Sequence, residues 1–530
     1  MRTRLPIERL RTPGGALALL ILVVLAVDLW WLAADSALPL YDSGRWLGHA
    51  ADWSALIASG DWLAPYNQFI QMPPLVHWIG ALTMAVTGVD DDAAIAVIDV
   101  LFVTGLIAGC YGIARRSFGP TAGLLAAVFA AGTPMAISQA HAFMLDLPTA
   151  SLVAMSVWML VESDRLRRPG FAALAGLCLA LGMLTRPNFP LWVAGFVVVF
   201  LARGAWRNWR GGVAAVVPVL VIALPWYVKH YDALRYNQVG ATAGTEGHSS
   251  SGPGLTSVVY DLAPPRGSGT NITWYGWSLV NHTLFLPLTL LFLLGAGLAV
   301  WRFARTRLPG DVTPELVAGG LVGLLLQTFW LTLKDPRYTL YGLPYVAALA
   351  AGWLAWTPHR GRRIAGMAAI GGLALVNFVA INFTSFQPID VELPGAPQPP
   401  SPPGHRLLTI LKPTGYSYGR PSDESGGLLD VMEAARRDGA ERVWFAGMED
   451  SYLWFNASGL GFFARKAGLA PQGSAELHEE RDVSLIRRFP APGLPEPCLR
   501  LEDGSGVYVV LGQQWRLPLG EVRRYCPAGD

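Results

Sequence analysis

Long apolar runs separated by short basic clusters limit this chain more than any other feature. Residues 122–136 and 284–300 carry no charge, and 16–32 are broken only by Asp28. Such runs approach the ~20 residues a helix needs to cross a bilayer. Only 15% of the residues are charged, where soluble domains carry about 25%. The sequence therefore predicts a polytopic α-helical membrane protein. A net charge of +2, with no nucleic-acid motif, gives no reason to expect a nucleic-acid partner.

The basic clusters set the orientation, because basic loops stay cytoplasmic. They lie at 2–11, 115–116, 165–168, 203–210, 302–307 and 360–363. Spans over 15–34, 94–114, 121–138, 147–162, 170–185, 189–202, 212–228, 279–301, 312–333, 338–357 and 364–384 number about eleven and put every cluster on the side of the N-terminus. The first run reads as an uncleaved span rather than a signal peptide. Residues 73–89 also look like a span, but a crossing there would move Arg115, Arg116 and 165–168 outside. The Pro-Pro start, His77 and Trp78 instead suit an interfacial helix on the outer surface. The expected location is a bacterial-type inner membrane, N-terminus cytoplasmic.

On this topology the outer face collects Asp42, Asp146, Arg186, Lys229, His230, Lys334 and Arg337. Three segments follow: a membrane domain over 1–385, a Pro-rich linker over 386–404, and an extracytoplasmic α/β domain over 405–530. In the last, 427–440 reads as an amphipathic helix, and "RVWFAG", "VSLIRRF" and "GVYVVLG" as strands. Cys498 and Cys526 are expected to pair there, where oxidation persists. The stretch 240–254, "GATAGTEGHSSSGPG", is flexible by composition and reads either as a lid or as disorder.

In order, the motifs are an acid after the first span (Asp42-Ser43), "MPPLVHW", "LDLP", "LTRP", "LPWY" and "DPRYTLYGLP". This series resembles the polyprenyl-phosphate-sugar-dependent glycosyltransferases of the GT-C type, the family of protein O-mannosyltransferases and lipid A aminoarabinose transferases. The resemblance covers roughly residues 15–350. The chain departs from the family pattern in having Ser43 where a second acid is usual, and Gln71-Met72 before Pro73-Pro74.

The resemblance implies transfer of a sugar from a polyprenyl phosphate to a hydroxyl of an envelope glycan, lipid or protein, with inversion. Such a reaction needs a carboxylate to take the acceptor's proton and cations to hold the phosphate. The catalytic candidates are Asp42, as base, and Asp146. The substrate-binding candidates are Arg45, His77, Arg186, Lys334, Arg337 and Tyr338. No metal-ligand spacing is visible and no cofactor is expected, though a divalent metal is left open.

Plainer readings stand beside these. Asp42 and Asp146 could cap the helices that follow them, and Arg337 could anchor at the headgroups. His77 could be structural, and Asp28 and Asp99 could pack against polar neighbours within their spans. Two other functions also compete: a transporter or flippase of lipid-linked substrates, and a sensor or assembly protein acting through its C-terminal domain.

Overall fold

The computed structural model describes residues 12–37, 39, 41–70, 72–235, 269–306, 311–330, 334–392, 407–415, 418–422, 428–437, 442–446, 457–472, 486–488, 498–501 and 507–512. The 240–254 stretch and Cys526 lie outside these residues, and with Cys526 the expected disulfide.

The first helix, Pro13–Ala34, starts on a Thr12 cap with Pro13 in its first turn and ends where Asp35 turns extended. Its 22 residues give about 33 Å at 1.5 Å per residue, enough for the ~30 Å hydrocarbon layer. The longest helix, Asp91–Phe118, shows its polarity in its sequence. Asp90 caps it by accepting from Ala93 N at 3.1 Å, and Asp91 and Asp92 fill the first turn. Arg115 and Arg116 sit in the last, and Gly119 closes it at φ +101°. Acids at the N-terminus and bases at the C-terminus both suit the helix dipole. Gly109 of this helix lets it approach Asp146–Glu162, for a Cβ there would meet the Ala154 Cβ at 2.6 Å and its carbonyl carbon at 2.9 Å. Such close approach is how helices pack without help from water.

The sequence predicts eleven spans from length and composition, and the described residues are more sparing. Five helices are long and apolar enough to cross a membrane: Pro13–Ala34, Asp91–Phe118, Trp209–Lys229, Phe285–Thr306 and Arg360–Phe383. A sixth arises if the bent pair Pro120–Ala131 and Pro134–Ala140 counts as one. The remaining expected spans are helices too, but shorter: Asp146–Glu162, Pro169–Met183, Phe189–Ala202, Thr313–Trp330 and Leu343–Gly352. The reason lies in where the chain turns inward. The segments between them (141–145, 184–188 and 334–342) fold inward as turns and 3₁₀ helix with mostly buried residues, so the apolar helices end early. Leu75–Thr87 has 13 residues, about 20 Å long and too short to span. It packs along the Tyr41–Ala58 helix.

The end of the bundle away from Asp42 is held by ion pairs. Arg115 and Arg116 reach Glu162 at 3.1 and 3.8 Å. Glu315, fully buried, binds Arg165 at 3.3 Å and Arg203 at 2.5 Å. Residues 164–166 take left-handed backbone angles there, and Asn208 Nδ2 donates to the Arg165 carbonyl at 2.7 Å.

After the last long helix, the expected linker is not all linker. Ile389–Glu392 forms a strand paired antiparallel with Leu407–Leu411. Beyond it a five-stranded mixed sheet runs in the order Ala470–Gln472, Arg442–Ala446, Val507–Gly512, Cys498–Leu501, Ile486–Arg488. The three strands and the helix (Leu428–Arg437) read from sequence are all present. The sequence reading passes over the helix Ala457–Lys466. It packs on Tyr41–Ala58, and its Phe462 and Phe463 share one apolar core with the membrane helices.

Candidate functional site

Asp42 stands in the first turn of Tyr41–Ala58. Its carboxylate does not simply cap that helix: Oδ2 lies 2.9 Å from Arg337 Nη2, with 30% of the Asp42 side chain exposed and 12% of the Arg337 side chain. Ser43, where the family pattern has a second acid, ties the turn to the bundle by accepting from Phe143 N at 3.1 Å.

Arg337 comes from the 3₁₀ helix Pro336–Gly342, and Asp335 builds that turn. The Asp335 side chain accepts from Arg337 N at 2.9 Å and from Arg337 Nε at 2.8 Å, and pairs also with Nη2. Burial alone would raise the Asp335 pKa, but Arg337 beside it outweighs that and holds the carboxyl below its usual range. Arg337 Nη1 lies 3.9 Å from both Met144 Sδ and an Asp146 oxygen.

Asp146, fully buried, opens the Asp146–Glu162 helix. Its two oxygens face different partners, Arg186 Nη2 at 2.9 Å and the Tyr341 hydroxyl at 2.5 Å. Arg186 is 4% exposed and lies 5.2 Å over the Tyr338 ring. Burial works against its charge, but Asp146 more than offsets this and its pKa is raised. Arg186 Nε has no hydrogen-bond partner among the described residues. Three acids and two arginines thus form one connected cluster, with Asp42 at its open edge.

The other expected binding residues lie around it. Tyr338 is the ring under Arg186. Lys334 is fully buried, donates to the Thr328 carbonyl and stands 5.0 Å over Tyr275. Arg45 lies over Trp46 at 5.3 Å. His77 is fully buried among Trp46, His49, Trp53 and Phe143. Burial, with His49 beside it, pushes its pKa down to about 3, so the ring is neutral and packs as an aromatic. Lys229 and His230 contact Asn67 and Tyr66. Asp335 and Tyr341 are site residues that the sequence reading passes over, although both stand in "DPRYTLYGLP". The Asp-Pro-Arg order is itself a turn signal, and it could have flagged Asp335 as the residue that aims Arg337.

The described residues hold one group of acids near enough to share an ion, Asp90, Asp91 and Asp92. Asp91 there is already bridged by Lys466.

Comparison with known proteins bears out the resemblance seen in the motifs. Residues 71–229 match the family model described as dolichyl-phosphate-mannose-protein mannosyltransferase. An oligosaccharyltransferase from Archaeoglobus fulgidus, in its apo form, shares the fold with a TM-score of 0.51 at 12% identity, over 86% of this chain and 64% of that one. ArnT from Cupriavidus metallidurans, bound to undecaprenyl phosphate, matches at 19% identity over 70% of this chain and 66% of that one, with a TM-score of 0.49. The chain thus spans just under two thirds of the length of these solved proteins. No curated protein matches it.

Proposed function

From this GT-C type glycosyltransferase likeness, we propose that the chain transfers a sugar from a polyprenyl-phosphate donor to a hydroxyl of an envelope glycan, lipid or protein on the extracytoplasmic face of a bacterial-type inner membrane. The observation that carries the reading is the pair at the open edge of the cluster: a partly exposed carboxylate, Asp42, 2.9 Å from Arg337. A base and a phosphate-holding cation are thereby adjacent, as a displacement at a phosphate-linked carbon requires.

In this mechanism the donor phosphate draws Arg337 from Asp42. Arg337 suits the task because a guanidinium offers a planar fork to phosphate oxygens, and Asp335 keeps the fork aimed. The released Asp42 carboxylate takes the proton of the acceptor hydroxyl as its oxygen bonds to the anomeric carbon. The bond from that carbon to the phosphate oxygen breaks, and polyprenyl phosphate leaves with the electron pair. A single displacement inverts the anomeric centre. Asp146 serves by position: it neutralises Arg186 and holds Tyr341, so the charge near the leaving phosphate is fixed before the reaction begins. A phosphate leaves without protonation, so no general acid is required.

The test is transfer from a short-chain polyprenyl-phosphate sugar by purified protein, read by mass spectrometry of envelope glycans offered as acceptors. Arg337→Ala should lose donor binding and turnover, with Arg337→Lys keeping part of both. Wild-type rates in both variants would leave Arg337 a headgroup anchor and end the reading.

A further inference from the structure

A second polar space lies beside the cluster, closed by the C-terminal region. It is a cavity of about 290 Å³ whose walls include Trp31, Asp35, Ser43, Asp92, Tyr418 and Lys466. The size falls at the lower end of small-molecule sites, which run ~300–1,000 Å³. Resting on the transferase reading, we propose that this cavity binds a sugar unit of the acceptor, and that it takes neutral or amine-bearing sugars and rejects anionic ones.

The aromatic wall is fixed in place. Trp31 stacks flat on His141, centroids 4.0 Å apart and planes 2° from parallel, and meets Tyr418 edge-on at 6.0 Å. Its Nε1 donates to the Gly419 carbonyl at 2.7 Å. His141 faces the cavity and is itself 2% exposed. Asn382 stands beside it, but neither ring nitrogen makes a hydrogen bond of normal geometry among the described residues. A buried polar group left so is costly unless a ligand or water satisfies it, and a sugar hydroxyl can both donate to and accept from it.

The charge of the space selects the sugar. Asp35, Asp91 and Asp92 line it against one base, Lys466, which is bound to Asp91. Carboxylates accept hydrogen bonds from hydroxyls and ammonium groups and repel phosphate or carboxylate substituents. The location fits an acceptor. Ser43 is part of the cavity wall and Asp42 is its neighbour in the chain, so a sugar seated here would stand at the turn that carries the base. The C-terminal region contributes Tyr418, Leu429, Phe463 and Lys466, which gives that region a task in acceptor recognition.

The experiment needs no turnover. A single cysteine replaces Ala37, a lining residue, in full-length protein freed of its native cysteines, and its rate of thiol modification is measured. A trimer of glucosamine should slow labelling at the lowest concentration, maltotriose at about threefold to fivefold higher, and trigalacturonate at none tested. Asp92→Asn should erase the advantage of glucosamine over maltotriose. Ser36→Cys serves as a second reporter should Ala37→Cys fold poorly. Equal protection by all three trimers, or by none, overturns the proposal. Wild-type protein that neither transfers nor hydrolyses a polyprenyl-phosphate sugar would instead end the transferase reading and leave the protection result standing.

Discussion

Asp42 and Asp146 belong to one cluster, yet their burial gives them different tasks. Asp42 is partly open and can change partners; Asp146 is sealed between Arg186 and Tyr341. Asp42→Asn should therefore leave the thermal stability of the purified protein unchanged and lower transfer about 10²–10⁴-fold, the usual cost of a lost general base. Asp146→Asn should reverse the pattern. It leaves Arg186 charged and buried without its counter-ion, which costs about 3–5 kcal/mol, so the protein should melt early whatever its residual turnover. An Asp42→Asn protein working within a few-fold of wild type would exclude Asp42 as the base. Asp35 offers a test of pH. Burial raises its pKa from 3.8 to about 6, so between those values the folded protein holds a proton that the unfolded chain has lost. Stability from this group falls as pH rises through that window. In the Asp35→Asn variant the side-chain amide cannot titrate, and its oxygen can still accept from Ser422 N, as Asp35 does at 2.7 Å. The melting temperature of Asp35→Asn relative to wild type should rise from about pH 4 to above about pH 6 and then level off. A difference that stays flat with pH would show Asp35 to titrate normally.

At the scale of elements, the long helices and their polarity are legible because their signals are local. Caps, first-turn acids, last-turn bases and terminal glycines fix Asp91–Phe118 without reference to anything else. The short helices read as full spans in the sequence because apolar length cannot show where the chain turns inward. That depends on partners remote in sequence, such as Asp146 with Arg186 and Tyr341. The same limit applies to the site. Asp42, Asp146, Arg186 and Arg337 could be picked out by residue type and place in the motifs, but that Arg337 bridges two acids from distant segments, or that His77 is walled in by rings, is decided by packing. The Leu75–Thr87 helix gives the test of orientation. Thr87, exposed at its end, should as Thr87→Cys in a cysteine-free background react in intact cells with a thiol reagent that cannot cross the membrane. Labelling only after permeabilisation would mean that the helix crosses and the basic clusters divide between the two sides.

At the scale of the molecule, the question is whether the chain beyond residue 405 is a separate domain, as its composition suggests, or part of the membrane body. The contacts favour the second. Tyr418 N donates to Ser138 Oγ at 3.1 Å, Thr409 N to Asn281 Oδ1 at 2.8 Å, and Trp31 Nε1 to the Gly419 carbonyl. Tyr418, Met432, Phe462 and Phe463 are buried in the same core as Trp31 and Trp46. Of the ion pairs at the same seam, Arg465 with Asp52 at 2.7 Å is at its rim, where a pair contributes little, about 0–1 kcal/mol, while Lys466 with Asp91 lies in the cavity wall with Asp91 buried. Apolar burial, at roughly 25 cal/mol per Å², contributes more. The variant Arg465→Ala should thus melt close to wild type, while a chain ending at residue 404 should melt much lower and aggregate in detergent, its buried aromatic contacts replaced by exposed apolar surface. Thermal unfolding followed together with size-exclusion profiles checks both. A truncated chain that stays monodisperse and keeps its melting temperature would show that the C-terminal region folds apart from the bundle. An Arg465→Ala variant as unstable as the truncation would show that charge, rather than apolar packing, closes the seam.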